Sequence, residues 1–187
     1  MAGAGERRAA VFLDRDGVLN QAIVRDGRPF APRSLSELTV LPEAPPACRS
    51  LRNEGFLIIV VTNQPELSRG SLDAGTLEAL HAALGRRVAL DGIYVCPHDD
   101  RQRCACRKPA PGLLLQAAAE NDIDLGRSFL VGDRWRDIEA GQRAGCRTIF
   151  IDRGYLERRS VGADAEVSDL AEAAERIRMF KEGSPPG

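Results

Sequence analysis

Two aspartates two residues apart, Asp14 and Asp16, close an apolar run and are followed at once by Gly17. In an extended chain, positions two apart point the same way. Both carboxylates are therefore expected to face one small volume at the end of a strand. Two like charges set side by side cost free energy unless a cation, a shared proton or chemistry compensates. Other polar groups stand at the ends of later apolar runs: Thr62-Asn63-Gln64 after residues 56–62, and Asp133 with Asp137 after residues 128–131. Three carboxylates converging on one crevice, Asp14, Asp16 and Asp133, ask for Mg²⁺, a hard cation that takes oxygen ligands and leaves room for a phosphate oxygen. A hydroxyl (Thr62), a lysine (Lys108) and backbone N–H groups around it suit a phosphoryl group. No Gly-x-x-x-x-Gly-Lys-Ser/Thr loop is present and no Gly-x-Gly-x-x-Gly follows a strand, which disfavours nucleoside triphosphate and dinucleotide folds. Covalent phosphoryl transfer through an aspartate is the best chemical fit.

A second cluster comprises Cys96-Pro-His98 and Cys104-Ala-Cys106, three of the chain's five cysteines within eleven residues. Four soft or borderline ligands at these spacings match the demands of a tetrahedral Zn²⁺, with free thiols as the alternative. No position is left vacant, so the metal is expected to brace a loop while catalysis happens elsewhere. Arg107-Lys108-Pro109 follows the last ligand directly, and a clamped loop would set where those two charges point. Cys48 and Cys146 read as small buried hydrophobes. His81, inside an apolar-periodic stretch, reads as a packing or surface residue.

The elements that must carry these groups alternate. Residues 9–13, 56–62, 92–95, 128–131 and 147–151 read as strands, and residues 165–167 as a short edge strand. Helices are expected over 43–53, with Pro45 and Pro46 in the first turn and Gly55 as the stop, over 72–87 capped by Ser71, and over 111–121. Two more are expected over 138–144, stopped by Gly145, and from Ser168 as cap to about Phe180. Such alternation implies an α/β fold, a three-layer α/β/α sandwich on a mostly parallel sheet, whose strand ends bring Asp14, Asp16, Thr62 and Asp133 together. Residues 20–41 and 152–164 read as loops, and the first of these should overhang the acidic pair.

At 187 residues the chain suits one domain, with a core of about residues 9–180, a zinc loop at 96–106 and no room for a cap domain. A formal net charge of −1 gives no field for nucleic acid or an anionic membrane, so the expected partner is a small phosphorylated metabolite and the expected state a monomer. No apolar stretch approaches the length of a bilayer span and residues 1–8 lack the apolar core of a signal peptide, so a cytoplasmic location is expected. The tail, residues 182–187, reads as frayed.

Taken in order, Asp14-Arg-Asp16-Gly, Thr62-Asn63-Gln64, Lys108-Pro109 and Gly132-Asp133-x-x-x-Asp137 resemble the four motifs of the haloacid dehalogenase superfamily of phosphatases. Val-Thr-Asn-Gln and the Cys-x-His…Cys-x-Cys-Arg-Lys-Pro loop are similar, within it, to the capless heptose bisphosphate and histidinol-phosphate phosphatases, which use Mg²⁺ and carry structural zinc. The resemblance implies that Asp14 attacks phosphorus and that Asp16 protonates the leaving oxygen and then activates water. It implies Mg²⁺ on Asp14, the Asp16 carbonyl and Asp133, with Asp137 behind them orienting Lys108 or a metal-bound water. Thr62 and Lys108 would hold phosphoryl oxygens; Asn63, Arg107 and Arg134 would meet the rest of the substrate. Pro65-Glu66 departs from the Ser-Gly usual in the heptose family, the zinc loop is short, and residues 20–36 do not match the family's substrate loop. A sugar bisphosphate, first a heptose 1,7-bisphosphate, is the leading substrate; histidinol phosphate, a catalytically silent zinc-stabilised binding module and nucleic-acid end-processing are the alternatives.

Overall fold

A computed structural model describes residues 7–183. Eight strands and five α-helices follow in the order β1 (Ala10–Leu13), β2 (Ile23–Arg25), β3 (Arg28–Phe30), α1 (Ala44–Asn53), β4 (Leu57–Asn63), α2 (Ala74–Gly85), β5 (Gly92–Cys96), α3 (Gly112–Asn121), β6 (Phe129–Gly132), α4 (Trp135–Ala144), β7 (Arg147–Ile151), β8 (Ala165–Val167) and α5 (Leu170–Lys181). Six strands form one parallel sheet in the order β5-β4-β1-β6-β7-β8. No helix among the described residues is long and apolar enough to cross a membrane.

The central strands are apolar up to their carboxyl ends because both faces of the sheet are covered. Val11, Leu13, Ile58, Val60 and Val131 point into a core shared with α1 and α5, while Ala10, Phe12, Ile59, Val61 and Leu130 point into a second core under α3 and α4. Each of these side chains larger than alanine contributes roughly 1.5–3 kcal/mol when taken out of water, and a one-residue slip would send every one of them into the wrong core. That fixes the register at Leu13↔Val60 and Leu13↔Val131. The ends of β4, β1 and β6 are therefore held side by side.

Three local expectations need correction. Residues 20–41 are not a plain loop: β2 and β3 pair antiparallel across Asp26-Gly27, both with positive φ (50° and 71°), the backbone of a tight two-residue hairpin turn. Asp-Gly between two short β-prone segments was the available signal. Helix α2 is capped by Asp73, whose carboxylate accepts from Thr76 N, and not by Ser71. Asp169 caps α5, and not Ser168, whose N–H and hydroxyl donate to Glu172 instead. The expected frayed tail lies largely beyond residue 183, outside the described residues, as do residues 1–6.

Candidate active site

Asp14 leaves β1 at the centre of the sheet, flanked by Thr62 near the end of β4 and Asp133 just past β6. The carboxylates of Asp14, Asp133 and Asp137 are all buried, and one oxygen of each lies within 4.8 Å of the others. Lys108 Nζ sits among them and spends its three donors on Asp14 Oδ1 (2.9 Å), Asp137 Oδ1 (2.6 Å) and the Val61 carbonyl (2.7 Å). Desolvation lowers the affinity of that ammonium for its proton, but Asp137 and Asp14 outweigh it and raise its pKa. Burial, offset in part by Lys108, carries Asp14 up to about 6, and burial with the fields of Asp14 and Asp137 carries Asp133 well above the usual range. Neither oxygen of Asp133 has a hydrogen bond of ordinary geometry.

Three carboxylates against one ammonium leave this buried group two negative charges in excess when all are ionised. Three buried carboxylates that push one another's pKa up, with only Lys108 and the Tyr155 hydroxyl beside them, offer the oxygen donors that a divalent hard cation fits. Gly17 makes the close approach possible: at φ +91° its Cβ would stand 1.7 Å from Asp133 Oδ2, so no other residue can pass there. Asp137 also accepts from Arg134 N (3.0 Å), closing the first turn of α4 from its third position.

The Asp16 carboxylate is not part of that cluster. It accepts from Arg15 Nε and Nη2 (3.0 Å each), Asn20 Nδ2 (3.0 Å) and Gln64 Nε2 (2.9 Å). Burial opposes its ionisation, yet Arg15 with Asn20 and Gln64 prevails and holds the carboxyl below its usual range. Gln64 Nε2 also donates to Thr62 Oγ1 (2.9 Å), which leaves the Thr62 hydroxyl proton free to point at a ligand. Behind Arg15, its Nη1 meets His81 Nε2 at 3.1 Å. Since a guanidinium only donates, this nitrogen accepts and the ring is neutral; burial and Arg15 bring its pKa down to about 4.

Cys96 ends β5 beside the end of β4, in register with Asn63, so the zinc-type loop starts next to the acid cluster. Cys96 Sγ lies 3.6 Å from Cys104 Sγ and 3.2 Å from Cys106 Sγ, and His98 Nδ1 lies 3.6 and 3.3 Å from Cys96 and Cys106. Ligands at 2.3 Å from a tetrahedral Zn²⁺ would be roughly 3.7 Å apart, so the four atoms fit one ion. The loop docks on α3 through Gly112 N to the Ala105 carbonyl (3.0 Å), where a Cβ on Gly112 would be 2.3 Å from that oxygen. Arg107 is tied back into it, Nε on Asp100 (2.9 Å) and Nη1 on the His98 carbonyl (3.0 Å).

Asp14, Asp16, Thr62, Asn63, Arg107, Lys108, Arg134 and Asp137 all line one cavity of about 270 Å³, under residues 28–31 of the hairpin. Asp133 does not line it; it lines the neighbouring cavity with Tyr155, and Arg134 and Glu157 border both. Asn63 uses its amide on Lys108, accepting from its N–H and donating to its carbonyl (3.1 Å each), so it holds the lysine more than it offers itself to a ligand. Arg134 is paired with Glu157. Not anticipated were Arg15, Gln64 and His81, and Tyr155 and Glu157 of the loop after β7. Arg15 between two aspartates and Gln64 after Thr-Asn were visible signals; the other three become neighbours only through the fold. Cys48 and Cys146 are buried as expected.

Residues 105–174 match the HAD-hydrolase-like family model. The chain is 38% identical over 149 residues to the D-glycero-beta-D-manno-heptose-1,7-bisphosphate 7-phosphatase of Bordetella bronchiseptica, covering 77% of this chain and 80% of that protein. It is 34% identical over 193 residues to the D-glycero-D-manno-heptose-1,7-bisphosphate 7-phosphatase of Thermosynechococcus vestitus, covering 91% and 95%. The crystal structure of the B. bronchiseptica D,D-heptose 1,7-bisphosphate phosphatase complexed with magnesium and phosphate superposes with a TM-score of 0.79 at 34% identity, over 92% of this chain and 99% of that one.

Proposed function

The chain belongs to the HAD-like phosphatases, and we propose on that premise that its substrate is a heptose 1,7-bisphosphate, from which it removes the 7-phosphate. The observation that carries the reading is the cluster of the Asp14, Asp133 and Asp137 carboxylates around Lys108, next to a clamped, ionised Asp16. Asp14, with Asp133 and the Asp16 carbonyl, would hold Mg²⁺, which when bound lowers the charge on the phosphoryl oxygens and on the acids themselves. Asp14 attacks phosphorus and carries the phosphoryl group as an acyl phosphate. Thr62 donates its hydroxyl to a phosphoryl oxygen, and Lys108 supplies a fixed positive charge beside it. A direct bond from Lys108 to the substrate would replace the one to Asp14.

Asp16 starts as a carboxylate. The phosphate group's charge raises its pKa, so that it takes up a proton with the substrate and delivers it to the leaving oxygen, then accepts one from the attacking water. Arg107 and Arg134 stand at the rim toward the leaving group. Zn²⁺ on Cys96, His98, Cys104 and Cys106 has no chemical step; it braces the loop that aims Arg107 and Lys108. Residues 9–180 act as one domain and as a monomer, in the cytoplasm, where thiol ligands stay reduced.

The test is phosphate release with Mg²⁺ from heptose 1,7-bisphosphate, fructose 1,6-bisphosphate, histidinol phosphate and a nucleotide 3′-phosphate. A preference of about a hundredfold in kcat/KM for the heptose, nearly 3 kcal/mol of selective transition-state binding, is expected. The same preference for histidinol phosphate would reassign the pathway, and uniformly poor rates would reject a sugar bisphosphate.

A further inference from the structure

We propose that Arg28, on the hairpin over the site, receives the second, non-reacting phosphate of the bisphosphate, which makes it the residue that distinguishes bisphosphates from monophosphates. This rests on the phosphatase reading above and assigns its selectivity to a residue of the hairpin.

The cavity wall carries five arginines besides Lys108, and four are committed. Arg107 and Arg136 share the Asp100 carboxylate (2.9 and 3.2 Å), Arg134 is paired with Glu157, and Arg69 faces Asp99 (3.8 Å) and Glu66 (4.0 Å). Arg28 lines the same space and makes no side-chain hydrogen bond, ion pair or ring contact to any described residue. It also stands directly opposite Arg25 across the turn, and like charges at that position destabilise a hairpin. Arg25 relieves the clash partly by lying over the Phe30 ring at 5.8 Å. Arg28 is exposed and has no such contact among the described residues, so its guanidinium stands on the cavity wall with its donors open to a ligand.

The hairpin is held where it can serve. Leu156 N donates to the Gly27 carbonyl (2.8 Å), and the Leu156 side chain packs so closely that a Cβ on Gly27 would be 2.5 Å from it. The same stretch brings Glu157 to Arg134. One short segment therefore pins both the hairpin tip and Arg134 of the cavity wall, so that Arg28 is presented by a fixed support, which lowers the ordering cost of capture. A guanidinium donates two parallel N–H bonds to a phosphate, which a lysine cannot reproduce.

The experiment measures wild type, Arg28→Met and Arg28→Lys on heptose 1,7-bisphosphate and on the heptose 7-phosphate. The expected result is a fall of about tenfold or more in the preference for the bisphosphate in Arg28→Met, carried by KM, with a smaller fall in Arg28→Lys. Equal losses on both esters, or none on either, would overturn the proposal. Calorimetric binding of the bisphosphate to Asp14→Asn and to Asp14→Asn/Arg28→Met separates the two readings. Wild type that turns over neither ester rejects the substrate, whereas equal affinity in the two calorimetric samples rejects Arg28.

Discussion

At the scale of single residues, the site depends on how four acids in one small space are kept different. Asp14 and Asp133 are raised by burial and by one another, while the partly buried Asp16 is lowered because Arg15 faces it with two parallel donors. Division of labour between paired carboxylates follows from such asymmetry. Lys108 is a poor place to test it, since removing one member of a buried pair costs about 3–5 kcal/mol and would confound folding with catalysis. Asp14→Asn is cleaner, because it lightens the charge on a crowded cluster. It is expected to keep the native circular dichroism and to lower kcat by more than about a thousandfold. Residual turnover above that level would remove Asp14 as the nucleophile.

At the scale of elements, the segment from Cys96 to Lys108 has little core of its own. It is fixed by the four-ligand cluster, by Gly112 against Ala105, and by Arg107 folded back onto Asp100 and the His98 carbonyl. A metal that braces such a segment contributes folding free energy directly. Cys104→Ala should therefore lose bound zinc, lower the melting temperature and reduce kcat together, because Arg107 and Lys108 lose their support. Full zinc content or an unchanged melting temperature would defeat this account. The hairpin at residues 23–30 is the complementary case: no metal, two short strands, and a position set by Leu156.

At the scale of the whole molecule, the sheet order places β1 between β4 and β6, and that alone assembles the site from three distant segments. Helix α2 joins it from the side through His81, which ties global stability to pH. The ring's pKa is about 4 in the folded chain and 6.5 ordinarily. A depressed folded-state pKa stabilises fully above pH 6.5, and that contribution is lost as pH falls from 6.5 toward 4, because the unfolded chain takes up the proton first. His81→Gln keeps an acceptor for Arg15 but cannot titrate. Melting temperatures from pH 7 to 4.5 should fall more steeply in wild type than in His81→Gln, and parallel curves would contradict the buried, neutral ring.

Composition and order of residues were enough for the apolar strands, the polar groups at their ends, the Cys-x-His and Cys-x-Cys spacing and the resemblance these carry. All of these are local: periodicity and ligand spacing are written within a few residues. Helix caps were misplaced by one or two positions because Ser71, Asp73, Ser168 and Asp169 compete for the same orphan N–H groups, and only backbone geometry chooses between them. What the tertiary structure alone decided is partnership. Arg15 with His81, Gln64 bridging Thr62 and Asp16, Glu157 on Arg134 and Leu156 on the hairpin join residues far apart in the chain. Which buried or rim charge finds its counter-charge, and that Arg28 finds none among the described residues, follows from strand order and loop docking, which no local pattern encodes.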